Sequence, residues 1–319
     1  MLKFVRPQQE WGWEIALYLY LAGMGAGSFI IGTMVLWFGD HLLAQKTWDF
    51  WNYSINLSKA VVLWGPLLVA IGAPFLVLDL GKKLKFYTAC LNPRTSWLAR
   101  GFLILFAFIV VGLIILGVSA LFGDGRTTFW VLLEITGVIL AFATAIYTGI
   151  LLQSIKYVPI WNTPLLPLLF VTSALSTGSM GIILSLLGFE LIPANHGLLK
   201  TLTSTEQIFI LVEAFVLALY LYLRYQQKDQ GETSVRLLLS GQLKLLFWVG
   251  IVFIGFIFPI LLEFLYTHSG HSTILIATGL LLLCGGFFLR LGVLASGIRE
   301  QLPMHKLIEI KVAMSALKR

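Results

Sequence analysis

Glu14, Tyr18 and Tyr147 are the residues in this sequence whose types and spacing point most directly to chemistry. In the stretch EIALYLYLAGMGAGS, helical spacing places Glu14, Tyr18, Ala22 and Gly25 or Ala26 on one face. Tyr147, in AIYTGILLQ, falls at nearly the same depth if the helices that carry the two tyrosines run antiparallel through a membrane. Two phenols and a carboxylate at one level could hydrogen-bond the carbonyl of a quinone and take the proton that a quinol releases on oxidation. The competing reading is an ordinary belt of interfacial aromatics, and Tyr20 fits that belt better than a site.

The elements that must hold these residues follow from composition. Hydrophobic residues make up 58% of the 319 and charged residues only 12%, which leaves too little polar surface for a water-soluble globule. An integral membrane protein is expected. A hydropathy window along the chain picks out eight spans, at 14–38, 55–79, 97–122, 129–152, 165–188, 205–225, 242–265 and 272–297. Runs of this length cross a bilayer as helices, because each helix satisfies its own backbone polar groups. The expected fold is therefore all-α, one membrane domain over 1–319, with eight helices in two four-helix bundles divided near 153–164. The first apolar run is longer than a signal-peptide core and no small-residue cleavage site follows it, so it is expected to remain as a helix. Gly23 and Gly27 form a small-xxx-small pattern suited to close helix packing. A nucleotide-binding glycine loop is excluded, since no strand precedes these glycines.

With eight spans both termini share one face, called side A. Seventeen lysines and arginines fall on or near that face, against Lys46, Arg126 and Lys200 in the loops of side B. By the positive-inside rule side A is expected in the cytoplasm. The net charge of +7 thus reports topology and contact with anionic lipid, not nucleic-acid binding.

Redox centres of the chain's own are not expected. Cys90 and Cys284 are far apart and outside any C-x-x-C context, so a zinc ion or an iron–sulfur cluster has no ligand set. His41, His196, His268 and His271 lie in or beside side B loops and His305 follows the last span, so a haem within the bilayer lacks axial ligands. His268 with His271 is at most a surface metal site. Inside the spans stand Lys59, Glu134, Glu213, Glu263 and Arg290, with Glu14 and Asp79 at side A ends. Charges at such depth mark internal pairs or proton routes. Lys59 and Glu134 share a level near side B and suit pairing, and a route is drawn through Lys59, Glu134, Glu213 and Arg290.

Five stretches carry a resemblance to a known family. They are WGWEIALYLYLAGMGAG at 11–27, LDLGKKLKFYTACLNPRTSW at 78–97, YTGILLQSIKYVPIWNTPLLPLLFVTSALSTG at 147–178, the apolar seventh span, and LRLGVLASG at 289–297. Together they resemble the NrfD-like membrane subunits of polysulfide reductase and formate-dependent nitrite reductase systems. The resemblance implies a quinone-reactive subunit of eight helices without haem, in a bacterial or archaeal plasma membrane. Such a subunit docks a ferredoxin-like iron–sulfur protein, which leads to a catalytic subunit, often a molybdopterin enzyme. It further implies a quinone pocket, for menaquinone or ubiquinone, in the first bundle, with Tyr18 and Tyr147 at the matching positions and Glu14 and Asp79 nearby. Some relatives have histidine where Tyr18 stands, and an ordinary phenol is a poor proton acceptor near neutrality, so Glu14 or Asp79 is assigned the proton and Tyr18 the orientation of the ring. Lys82, Lys83, Lys85 and Arg94, in a basic and aromatic loop on side A, are the docking candidates. Two other classes stay open, a secondary transporter and a passive anchor that binds no quinone. Transporters show broken helices at matched positions of two repeats, whereas Pro66, Pro74 and Pro259 form no matched pair.

Overall fold

A computed structural model of the chain describes residues 8, 11–44, 46–50, 53–78, 94, 96–122, 128–192 and 197–300. The long helices, in chain order, are α1 (Trp13–Gly39), α2 (Leu57–Leu78), α3 (Trp97–Phe122), α4 (Thr128–Gln153), α5 (Leu165–Gly188) and α6 (Gly197–Gln226). A short helix α7 (Gln230–Leu239) follows, and then α8 (Leu246–Ser269) and α9 (Ser272–Ala295). Among the described residues seven helices are long and apolar enough to cross a membrane, all but α2 and α7. In α2 the apolar stretch is shorter, Trp64–Leu76.

Three features depart from the sequence-based expectation. A two-stranded antiparallel hairpin, β1 (Thr47–Phe50) with β2 (Tyr53–Asn56), precedes α2. Thr47, Trp48, Phe50, Tyr53 and Ile55 are residue types that favour extended backbone over helix. Helix α7 lies where a plain loop is expected. Asp229 caps it by accepting a 2.6 Å hydrogen bond from the Gly231 amide, Glu232 and Arg236 pair one turn apart at 2.8 Å, and Val235 and Leu238 are buried. The third departure is in α8, whose first half, Leu246–Ile257, is π-helical and gives way to α-helix at Phe258, with Pro259 in its first turn. Proline has no N–H to donate to the preceding turn, and the wider register ends there.

The glycine-rich part of α1 explains how the helices come together. α1 packs on α2, α4, α5 and α9, and so touches both halves of the chain. Gly25 faces the backbone of Gly65 on α2, and Gly27 faces the backbone of Ala174 and Gly178 on α5. A methyl group at Gly25, Gly27, Gly65 or Gly178 would overlap main-chain atoms that no rotamer change can move. α1 is accordingly the most enclosed span, with 83% of its apolar window buried.

Candidate functional site

Tyr18 and Tyr147 come together between α1 and α4. Tyr18 stands five residues into α1 and Tyr147 six before the end of α4, so the antiparallel helices bring them level. Tyr18 is 0% and Tyr147 2% exposed. Gly101 on α3 leaves the space that the Tyr147 ring fills, since a Cβ there would overlap the ring. The two phenols interact with one another. Neither hydroxyl meets a well-formed hydrogen-bond partner. An unsatisfied buried hydroxyl costs about 1–3 kcal/mol, so two of them facing each other need a reason. An acceptor such as a quinone carbonyl would satisfy such donors, and in that respect the residues present fit the group.

Glu14 is half-buried one turn nearer the start of α1. Asp79, Lys82, Lys83 and Lys85 lie outside the described residues. Arg94 is exposed, its carbonyl accepts a 2.6 Å hydrogen bond from Arg100, and Arg100 stacks on Trp97 with its guanidinium 4.5 Å from the ring. Tyr20, expected at the interface, is instead buried to 8% exposure. Its ring meets Phe287 edge-on, 5.9 Å between centroids, at the contact of α1 with α9. Gly286 on α9 leaves room for it there.

The ionisable residues within the spans fall into two separate groups. In the first, both carboxylate oxygens of Glu134 accept indole N–H bonds, from Trp37 and from Trp130, each at 2.6 Å. The Lys59 ammonium sits 4.7 Å from the Trp130 ring. Lys59 and Glu134 therefore share one indole, and the cluster ties α1, α2 and α4 together.

The second group centres on Arg290 of α9, 1% exposed. Its guanidinium donates to the Ser173 hydroxyl at 2.5 Å and to the Phe170 carbonyl at 3.2 Å, and lies 4.4 Å from the Phe170 ring. Gly23 makes room for it, since a Cβ there would come within 3.1 Å of Nη2. Glu213 of α6 reaches the Ser173 and Ser176 hydroxyls and feels the Arg290 charge. Ser173 thus joins two residues that the sequence could place only at similar depth. A small cavity with room for about one water adjoins Glu213, lined by Thr177, Ile251 and Leu282 among others. Among the described residues no group of three or more His, Cys, Asp or Glu side chains is arranged to hold a metal ion.

Several residues in these networks carry no strong signal in the sequence. Hydropathy starts the sixth span at 205 and leaves Glu206 at its edge, whereas α6 begins at Gly197 and buries Glu206 completely. Its spacing of seven from Glu213 sets the two on one helix face and is the one available clue. On side A, Trp161 donates to the Val293 carbonyl at 2.8 Å and stacks on Trp11 at 5.6 Å. Gln8 donates through its backbone amide to the Gly297 carbonyl and through its side chain to the Trp11 carbonyl, and Tyr220 donates to the Ile160 carbonyl, each at 2.8 Å. The stretches WGWE, YVPIWNTP and LRLGVLASG, scattered in sequence, therefore meet at one end of the molecule.

Residues 2–300 match the family described as polysulphide reductase, NrfD. The chain is 32% identical to a polysulfide reductase chain of Wolinella succinogenes, over 90% of this chain and 94% of that protein. It is 26% identical to protein NrfD of Escherichia coli, again over 90% and 94%. To a selenate reductase subunit of Mesobacillus selenatarsenatis it is 24% identical, over 79% of this chain and 66% of that protein. With its stretches gathered around a shared helical frame and a match over nearly its whole length, this multi-pass membrane chain belongs to the NrfD (polysulphide reductase) family.

Proposed function

We propose that the chain is the quinone-reactive membrane subunit of a multisubunit reductase. It exchanges electrons between menaquinone or ubiquinone and a ferredoxin-like iron–sulfur partner that leads to a molybdopterin-type catalytic subunit. The observation that carries this reading is the pair of buried hydroxyls on Tyr18 and Tyr147, which face each other without a well-formed hydrogen bond. The names of the relatives in Wolinella and Mesobacillus, components of polysulfide and selenate reductases, support the setting.

In this reading a bound quinone would supply two-electron chemistry with one proton at each of its two carbonyl oxygens, one carbonyl lying at the tyrosine pair. Tyr18 and Tyr147 hold that carbonyl as hydrogen-bond donors and orient the ring, while the packing of α1, α3 and α4 excludes water around them. Glu14, half-buried and a turn away, accepts the proton and passes it to side A, with Asp79 as the second acceptor. Lys82, Lys83, Lys85 and Arg94 receive the iron–sulfur partner on the same face. We further propose that α2 spans the membrane as an eighth helix, that the chain is one domain of two four-helix bundles, and that both termini are cytoplasmic. Of the residues drawn as a proton route, Glu213 and Arg290 form one connected group. Lys59 and Glu134, clamped on Trp130, act in holding helices together.

The test is Tyr18→Phe combined with Tyr147→Phe. Quinol turnover falls while the chain still assembles with its partners, and Glu14→Gln lowers turnover more than quinone affinity. Unchanged quinone kinetics in the double variant would remove the site and leave a passive anchor.

A further inference from the structure

Glu206 and Glu263 form the least expected contact in the molecule. Glu206, on α6, and Glu263, on α8, are both 0% exposed, and their carboxyl groups interact directly. Neither oxygen of Glu263 has a hydrogen-bond partner, and neither has Oε2 of Glu206. The remaining oxygen of Glu206 accepts a 3.2 Å bond from Ser176 on α5. Gln207 borders Glu263, and Glu213, two turns further along α6, is the next charged group. Arg290, the nearest cation named in this network, is engaged with Ser173, Phe170 and the field of Glu213.

Two bare carboxylates in contact, out of water, repel each other and also lose their hydration, and burial of a single unpaired charge already costs several kcal/mol. One proton ends the repulsion and leaves one charge to bury in place of two. A protonated carboxyl donates to its neighbour, the pair shares the remaining charge, and the carboxyl oxygens that face each other acquire a bond.

We propose that Glu206 and Glu263 share one proton and form a buried proton-holding site in the side B half of the membrane. Glu206 lies about 14 Å along α6 from its side B end and Glu213 about 24 Å, at 1.5 Å per residue. Ser176 contacts both carboxylates, and Ser173 continues the line to Arg290. The pair is thus the side B terminus of a row of polar side chains, Glu263, Glu206, Ser176, Glu213, Ser173 and Arg290, built on α5, α6, α8 and α9. This assignment does not depend on the quinone reading, because it rests on residues other than Tyr18 and Tyr147.

Infrared spectroscopy of the full chain in lipid nanodiscs tests it. At neutral pH the wild type shows the carbonyl stretch of a protonated carboxyl that shifts in heavy water. The isosteric double variant Glu206→Gln with Glu263→Gln loses intensity equal to one such group. Ser176→Ala, which disturbs the packing little, retains the band but shifts its frequency, since Glu206 loses its hydroxyl donor. Equal band intensity in wild type and double variant, or an unshifted band in Ser176→Ala, overturns the assignment. A wild-type band that appears only when sodium is removed also overturns it, by showing a metal cation between the carboxylates in place of the proton.

Discussion

Replacing Tyr18 and Tyr147 together by phenylalanine sets stability against function in a way that a merely structural role cannot reproduce. In the quinone-free protein both hydroxyls are buried without a well-formed bond. Removing an unsatisfied buried hydroxyl recovers its desolvation cost, about 1–3 kcal/mol. The two phenols interact, so the gain for the pair is nearer to one such group than to two. The double variant is therefore expected to be more resistant to thermal unfolding by about 1–3 kcal/mol. Quinone binding moves the opposite way. Each neutral hydrogen bond lost costs about 0.5–1.5 kcal/mol, which for two donors weakens affinity by roughly 5- to 150-fold. Both quantities can be read on one preparation in lipid nanodiscs, unfolding by tryptophan fluorescence without quinone and affinity by quenching of the same signal during titration. A double variant that is destabilised by more than about 1 kcal/mol, with quinone affinity unchanged, would refute the reasoning, because the hydroxyls would then be bonds of the fold.

Other outcomes follow from the same structure. Glu134→Gln takes the charge from two indole donors and should cost about 1.5–3 kcal/mol of stability with little effect on quinone affinity, as measured by thermal unfolding. On side B, the Lys46 ammonium donates a 2.9 Å bond to Glu190 and holds its carboxyl below the ordinary carboxylate range. A lowered value in the folded state means that the pair contributes above the unfolded value and ceases to contribute as pH falls through the folded one. The difference in thermal midpoint between wild type and Glu190→Gln should accordingly be present near neutrality and vanish in acid as the pH falls through the lowered folded value. A reporter fused after Arg319 tests orientation: fluorescence from a cytoplasm-only protein is expected, and activity from a periplasm-only alkaline phosphatase fusion would place side A outside.

Membrane residence and the greater part of the helix plan are legible from the chain alone, because hydrophobicity over about 20 residues is a local property and a bilayer leaves helices almost no alternative. The common level of Tyr18 and Tyr147 is legible for the same reason: antiparallel spans turn sequence position into depth. Depth is one coordinate, however, and contact needs the other two. Which face each helix turns inward is decided by packing. Glycines at positions 25 and 27 admit α2 and α5 on different sides of α1, and the rotation of α1 that results carries Tyr20 into the interior and sets Gly23 against Arg290. The pairing of Glu206 with Glu263 and the bridge from Glu213 through Ser173 to Arg290 depend on those rotations in four helices at once. Sequence separations of about 60 to 120 residues divide Glu206 from Glu263 and Ser173 from Arg290, and no local pattern spans them. Tertiary packing alone turns a sparse set of charges along the chain into two closed networks, one clamped by indoles and the other left with carboxyl oxygens that a proton can satisfy.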